Sequence, residues 1–405
     1  MTPPASPTSP TPRGSAVFTA RLAMLFATIA FSIDAMLPAL PTIAADLTPD
    51  APNRAQLILS IFVLGMGLGT LLVGPLSDAW GRKPVLIGGL VIYLVAALVA
   101  HQATSLEMLL AARMVQGFGA ASPRVVSLAL VRDLFSGRDM ARIMSIVMMV
   151  FMIVPALAPL VGQGIIHLAG WRAIFLAYVA FALIALVWFG LGQPETHPPE
   201  RRRPLRPALL AEGLREVLAA PEVRLYTIIT GLGFGQMLGL LSSIQQIFDQ
   251  GFGRAEEFPL WFALIAAIAG TGSFLNSRLV GRVGMRRMAM LAYIGQVVLS
   301  VVMLGVFLLG HPTGNLAFAA FYVWATSIFF IAGLTFGNLN ALAMQKMGHL
   351  AGLATSVISS LSTVLSAAIA AVTGLMFNGT PVPAMLTAVA CSTLATLLMR
   401  RAARL

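Results

Sequence analysis

The chain alternates between long apolar runs and short breaks that carry polar residues, glycine or proline. A bilayer core about 30 Å thick takes roughly 20 apolar residues of helix to cross. Twelve runs reach that length, at about 17–40, 55–76, 84–102, 105–131, 141–167, 172–192, 223–249, 258–280, 286–309, 314–340, 350–377 and 381–399. The first run is too long for a secretory signal and contains Asp34, Pro38 and Pro41, so it reads as a retained helix. Residues 1–15, rich in Pro, Ser and Thr, read as a disordered tail. The expected architecture is an all-α membrane protein. Twelve transmembrane helices form two six-helix bundles, over 16–192 and 223–399, with a basic tail over 400–405. A charged, Pro-rich linker over 193–222 joins them and is expected to hold a short surface helix near 207–220.

Composition agrees with lipid as the solvent. The chain is 58% hydrophobic and only 10% charged, against about 25% charged in an ordinary soluble domain. The net charge of +11 raises nucleic acid as a partner, but the placement of the basic residues removes it. With the N-terminus inside, nearly all of them fall in cytoplasmic loops and tails. Only Arg54, Arg172 and Arg254 fall on the other side, and Arg113 and Arg124 lie within a span. That asymmetry predicts both termini in the cytoplasm and basic loops facing anionic lipid. The one cysteine, Cys391, excludes an internal disulfide.

Two loops suggest a repeat. GPLSDAWGRKPVL (74–86) aligns with VGRVGMRRMAM (280–290) when Gly81 is laid over Gly284. Each joins the second and third spans of its half through a glycine turn with basic residues. In the first loop Asp78 is placed to pair with Arg82, or to approach the positive end of a helix in the other bundle. Such a contact would act as a gate latch, although the same residues also read as a solvated positive-inside loop. The second loop has Arg278, Arg282, Arg286 and Arg287 and no acid, so any latch is one-sided.

Among the 15 acidic residues, only Asp34 sits well inside a span. An intramembrane acid is expensive to keep and points to function. Burial favours its neutral form and a nearby Arg113 its ionised form. A fixed ion pair and a group that gains and loses a proton are therefore both open. Pro38 and Pro41 follow at i+4 and i+7 and loosen the helix just beyond it.

In the fourth span Arg113 and Arg124 are eleven residues apart and share a helix face, with Gln116, Gly117 and Ala120 on the same stripe. Arg113 then lines a wet cavity or bonds backbone carbonyls; Arg124 lines it too or snorkels to the interface. Pro155, Pro159 and Gly162 share one face of the fifth span, suiting a kinked gating helix or a packing face. The candidate cavity residues are Phe31, Asp34, Arg113, Gln116 and Gln236. No two histidines have metal-ligand spacing, and no His, Cys, Asp and Glu cluster serves acid–base catalysis, so neither a metal nor an enzyme activity is expected.

The segment G-P-L-S-D-x-x-G-R-K-P at 74–84 resembles the loop signature of the major facilitator superfamily. IDAMLPALP (33–41), RMVQGFGAAS (113–122), ALVRDLFSGRDMARIMS (129–145), VPALAPLVGQ (154–163) and GWRAIF (170–175) resemble its Bcr/CflA drug-resistance transporters. The resemblance implies a proton-driven exporter of chloramphenicol-like, bicyclomycin-like or other lipophilic compounds in a bacterial inner membrane. It implies proton coupling at Asp34 and Arg113, and gating at Asp78, Gly81, Arg82, Arg124, Pro155, Pro159 and Gly162. The cofactor expected is none beyond the proton gradient. Partners are a small-molecule substrate, protons and anionic lipids, and a monomer is expected. Two departures stand out: Phe26 occupies the place of a second acid in some relatives, and Val154 that of the antiporter motif's usual glycine. An importer or exporter of a metabolite such as a sugar or nucleoside is the alternative, since the same carboxylate would serve it.

Overall fold

In the computed structural model, described for residues 12–404 apart from 203, 204, 206, 311, 346, 348–350 and 403, the chain is almost wholly helical. The first half comprises α1 (Pro12–Asp34), α2 (Leu40–Leu47), α3 (Leu57–Trp80), α4 (Arg82–His101), α5 (Leu106–Leu134), α6 (Gly137–Ala169) and α7 (Ala173–Gly192). A linker helix, α8 (Pro207–Ala219), follows where the sequence places it. The second half comprises α9 (Pro221–Gln246), α10 (Phe258–Val283), α11 (Met285–Leu309), α12 (Gly314–Met344), α13 (Ala351–Leu375) and α14 (Val382–Ala402).

Among the described residues, 12 segments are long and apolar enough to cross a membrane. α1 and α2 form one of them, Ala16–Leu47, broken in the middle. An even number of crossings returns the chain to the face where it began, so both termini share a face. Large apolar side chains remain exposed on the outer helix surfaces, such as Leu183, Ile184 and Val187 on α7 and Val298, Val301 and Val302 on α11. In water such stripes would be a liability; in a bilayer they meet acyl chains.

Two expected boundaries shift. Of the tail expected over 1–15, residues 1–11 lie outside the described residues, and α1 begins at Pro12, a residue suited to a first helical turn. The basic tail expected from 400 begins as helix: α14 runs through Ala402 and carries Arg400 and Arg401 in its last turn, where cations favour the helix dipole.

The helices form two bundles that meet along α3 against α13 and α6 against α10. These pairings join the second span to the eleventh and the fifth to the eighth, so a six-span shift exchanges them. The turns at Gly81 and Gly284 repeat in detail, with φ 102° and ψ 158° in the first and φ 87° and ψ 145° in the second. Each precedes the first residue of a helix. Only glycine adopts such angles without strain, so the local sequence match reflects a shared backbone shape.

Candidate functional site

The site begins with a broken helix. Pro38 has no N–H, so the carbonyl of Asp34, four residues earlier, loses its helical donor. α1 ends at Asp34, and the chain passes through a short 3-10 turn at Leu37–Ala39 before α2. The last carbonyls of a helix need partners from elsewhere. The Ser32 carbonyl receives two: Nη2 of Arg113 at 3.0 Å and the Tyr178 hydroxyl at 3.2 Å. The Ser32 hydroxyl in turn bonds the Tyr93 hydroxyl and donates to the Thr28 carbonyl at 2.6 Å.

Arg113 is fully buried. Its Nη1 donates to Oε1 of Gln116 at 2.7 Å, and its guanidinium lies 4.1 Å from the centre of the Phe62 ring. The cation is thus placed at the negative end of α1, with ring faces and carbonyl oxygens around it. Of the arrangements the sequence leaves open for Arg113, this is the one with backbone carbonyls.

Asp34 is 5% exposed, and among the described residues its carboxylate makes no hydrogen bond or ion pair. Arg113 binds the backbone two residues before it and leaves the carboxylate alone. The site thus holds one buried acid that no basic side chain clamps.

Gly162 connects this acid to α6. A Cβ on Gly162 would strike the carbonyl oxygen of Ala35, the residue after Asp34. α6 runs unbroken from Gly137 to Ala169 through Pro155 and Pro159, so the proline-bearing helix rests directly on the break in the first span.

The other expected cavity residues are more involved in packing than the sequence suggests. Phe31 stacks on Phe181 with centroids 4.7 Å apart and meets Tyr178 edge-on at 5.7 Å, which ties α1 to α7. Gln236 accepts from the Ser392 hydroxyl at 2.8 Å, holding α9 to α14. The amide nitrogens of Gln116 and Gln236 and the amide oxygen of Gln245 are buried without partners among the described residues.

At the termini-bearing face, Arg82 joins Asp78 at 2.5 Å, Asp133 at 3.0 Å and the Ser77 hydroxyl at 2.8 Å. The sequence predicts the first of these partners and misses Asp133. It also misses Glu195, whose carboxylate accepts from the backbone N–H groups of Arg82 at 3.0 Å and Lys83 at 3.1 Å and so caps α4. Thr196 bonds Asp133 at 3.2 Å, so the start of the linker is fastened onto the Gly81 turn. Arg124 is partly exposed, and its Nη1 is buried with no partner among the described residues.

At the opposite face the two bundles are hydrogen-bonded to each other. Asn53 donates to the carbonyls of Leu375 at 3.2 Å and Phe377 at 2.7 Å. Gln56 bonds Gln246 and accepts from the Ser243 hydroxyl at 2.8 Å. These bonds join the 3-10 turn between α2 and α3 to α9 and to the end of α13. The signal in the sequence is weak: polar residues at span ends are ordinary.

The Major Facilitator Superfamily profile matches residues 22–371. The chain belongs to this superfamily. It is similar to the bicyclomycin resistance protein homolog of Haemophilus influenzae, 32% identical over 93% of each chain. It is also similar to the chloramphenicol resistance protein of Pseudomonas aeruginosa, 30% identical over 91% of this chain and 85% of that one. Among solved structures, a D-xylose-proton symporter superposes with a TM-score of 0.73 at 14% identity, over 95% of this chain and 97% of that chain. That likeness concerns the superfamily fold. The protein is therefore a multi-pass membrane transporter of small molecules and not an enzyme. Within this superfamily's fold, the first span breaks just after Asp34, two residues beyond the carbonyl that Arg113 holds.

Proposed function

We propose that the protein exports small, fairly apolar antibacterial compounds from the bacterial cytoplasm in exchange for protons. The termini-bearing face is the cytoplasmic one, by the distribution of basic residues, and the membrane is the inner membrane. The names of the similar drug-resistance proteins support export and this class of cargo. The observation that carries the coupling is Asp34: a buried acid with no protein partner, at a helix break against which α6 rests.

In the proposed cycle, Asp34 is ionised while the cavity faces the cytoplasm and accepts cargo. The bundles rock, with the Asn53 and Gln56 bonds released on one face while the other closes. Facing outward, cargo leaves and Asp34 takes a proton. The neutral acid permits the empty cavity to close and return. Arg113 acts through the helix end, by holding Ser32 and so the position of Asp34. One proton entering for one neutral molecule leaving moves one charge inward, worth about 2.3 kcal/mol per 100 mV.

The test uses proteoliposomes loaded with labelled chloramphenicol or bicyclomycin under an imposed pH gradient. Asp34→Asn should abolish gradient-driven movement while the protein remains folded. Full gradient-driven transport in that variant rejects the coupling, and uptake in place of export selects the importer of a metabolite.

A further inference from the structure

A cavity of about 680 Å³ opens at the termini-bearing face of the second bundle. Its lining is divided. Arg286 and Arg287 line it, and Met285, Met290, Leu291 and Leu342 supply an apolar wall. Leu291 is 53% exposed and lies about 6 Å deeper along α11 than Arg287, at 1.5 Å per residue. The cavity thus runs from a cationic rim into the acyl-chain zone.

The pseudo-repeat shows what this cavity lacks. In the first half the equivalent helix start is neutralised by the protein: Glu195 caps α4, and Asp78 and Asp133 pair with Arg82. Under the shift that lays Gly81 on Gly284, Gly281 stands where Asp78 was, and the sequence from Phe258 to Leu405 contains no Asp or Glu. α11 has no side-chain cap. Among the described residues Arg282, Arg286 and Arg287 form no ion pair, and the one side-chain bond of Arg286 goes to the Tyr226 hydroxyl at 2.9 Å. The fold repeats the turn, then leaves its positive charge open toward a cavity with an oily wall.

We propose that this cavity binds one anionic phospholipid of the cytoplasmic leaflet. Its phosphate sits at the Arg286–Arg287 rim against the start of α11, and an acyl chain lies along Leu291 and Met290. The phosphate takes the part that Glu195 plays in the first half. This rests on the reading that the termini-bearing face is cytoplasmic.

The experiment counts phosphatidylglycerol retained by the detergent-purified full chain, by native mass spectrometry, against phosphatidylcholine. Wild type should retain phosphatidylglycerol at least fivefold better. Arg287→Gln, at an exposed position without an ion-pair partner among the described residues, and the double variant with Arg286→Gln should lose that preference. Arg278→Gln, whose side chain lies over Phe274 outside the cavity, should keep it. Equal retention by wild type and the Arg287→Gln variant overturns the site. So does displacement of the lipid by millimolar inorganic phosphate, since the acyl chain would then contribute nothing. Labelling of Arg287→Cys by a membrane-impermeant thiol reagent separates the underlying reading, because Cys391 is buried. Reaction from inside supports the leaflet assignment, and reaction from outside overturns the orientation and that assignment with it.

Discussion

Arg113 donates to the Ser32 carbonyl at 3.0 Å, two residues before Asp34, and does not pair with the acid. The two residues should therefore respond differently to mutation. Asp34→Asn removes no protein contact, so its thermal midpoint should stay within about 2 °C of wild type while gradient-driven transport is lost. Arg113→Ala takes from the Ser32 carbonyl one of its two donors and from Gln116 Oε1 the guanidinium that bonds it, and a buried acceptor left unmet costs about 1–3 kcal/mol. This variant should lower both midpoint and transport. Arg113→Lys should fall between, because an ammonium cannot reproduce the planar fork. Thermal denaturation alongside transport checks this; an Asp34→Asn protein as unstable as Arg113→Ala would contradict the unpaired acid.

Gly162 gives a second contrast. Any side chain there meets the Ala35 carbonyl, and overpacking of this kind costs about 1–3 kcal/mol. Gly162→Val should reduce transport more than it reduces stability, because the contact joins the gating helix to the break beside Asp34. Gly164→Val is the control, since a Cβ there has open space. Similar losses in the two variants would remove Gly162 from the coupling path.

Much of this was legible in the sequence for a physical reason. Bilayer thickness sets the length of a span, so apolar runs count helices, and a lone acid inside one of them stands out. Pro38 at i+4 from Asp34 is enough to predict the break, because the missing N–H is a local fact. The partners of Arg113 are not local. Tyr178 lies 146 residues from Ser32, and the Ser32 carbonyl becomes an acceptor only because the helix ends. Glu195 reads as one more charge in a solvated linker; that it caps α4 depends on the path of α7 back to the Gly81 turn. Phe31 and Gln236 read as cavity wall, since the sequence gives the polarity of a position but not which neighbour fills it.

The Arg82 cluster yields a third prediction. Asp78→Asn and Asp133→Asn share one guanidinium, so their effects should not add; neighbours in one network couple by about 0.5–3 kcal/mol. Glu195→Ala removes a helix cap worth about 0.5–2 kcal/mol, and it should loosen the linker as well. Hydrogen exchange at the Arg82 and Lys83 amides should rise in Glu195→Ala and change little in Glu200→Ala. Unchanged exchange at those amides would mean that the cap is not held in the membrane.

The last prediction concerns the opposite face, where Gln56 bonds Gln246 and Ser243 across the two bundles. These bonds must break before that face opens. Gln56→Leu removes both and adds no charge. At about 0.5–1.5 kcal/mol net for each bond, the balance between the two faces should shift by about 1–3 kcal/mol, or 5–150-fold. Spin labels at Asp50→Cys and Thr380→Cys sit on exposed positions of this face and read the change directly. In the Gln56→Leu background their distance distribution should gain a longer component, and exchange should become faster if release of this latch limits the cycle. Asn53→Ala should act in the same direction by freeing the Leu375 and Phe377 carbonyls. If neither substitution alters the distribution, the hydrogen bonds follow closure and do not cause it, and the apolar contact of α3 with α13 sets the balance instead.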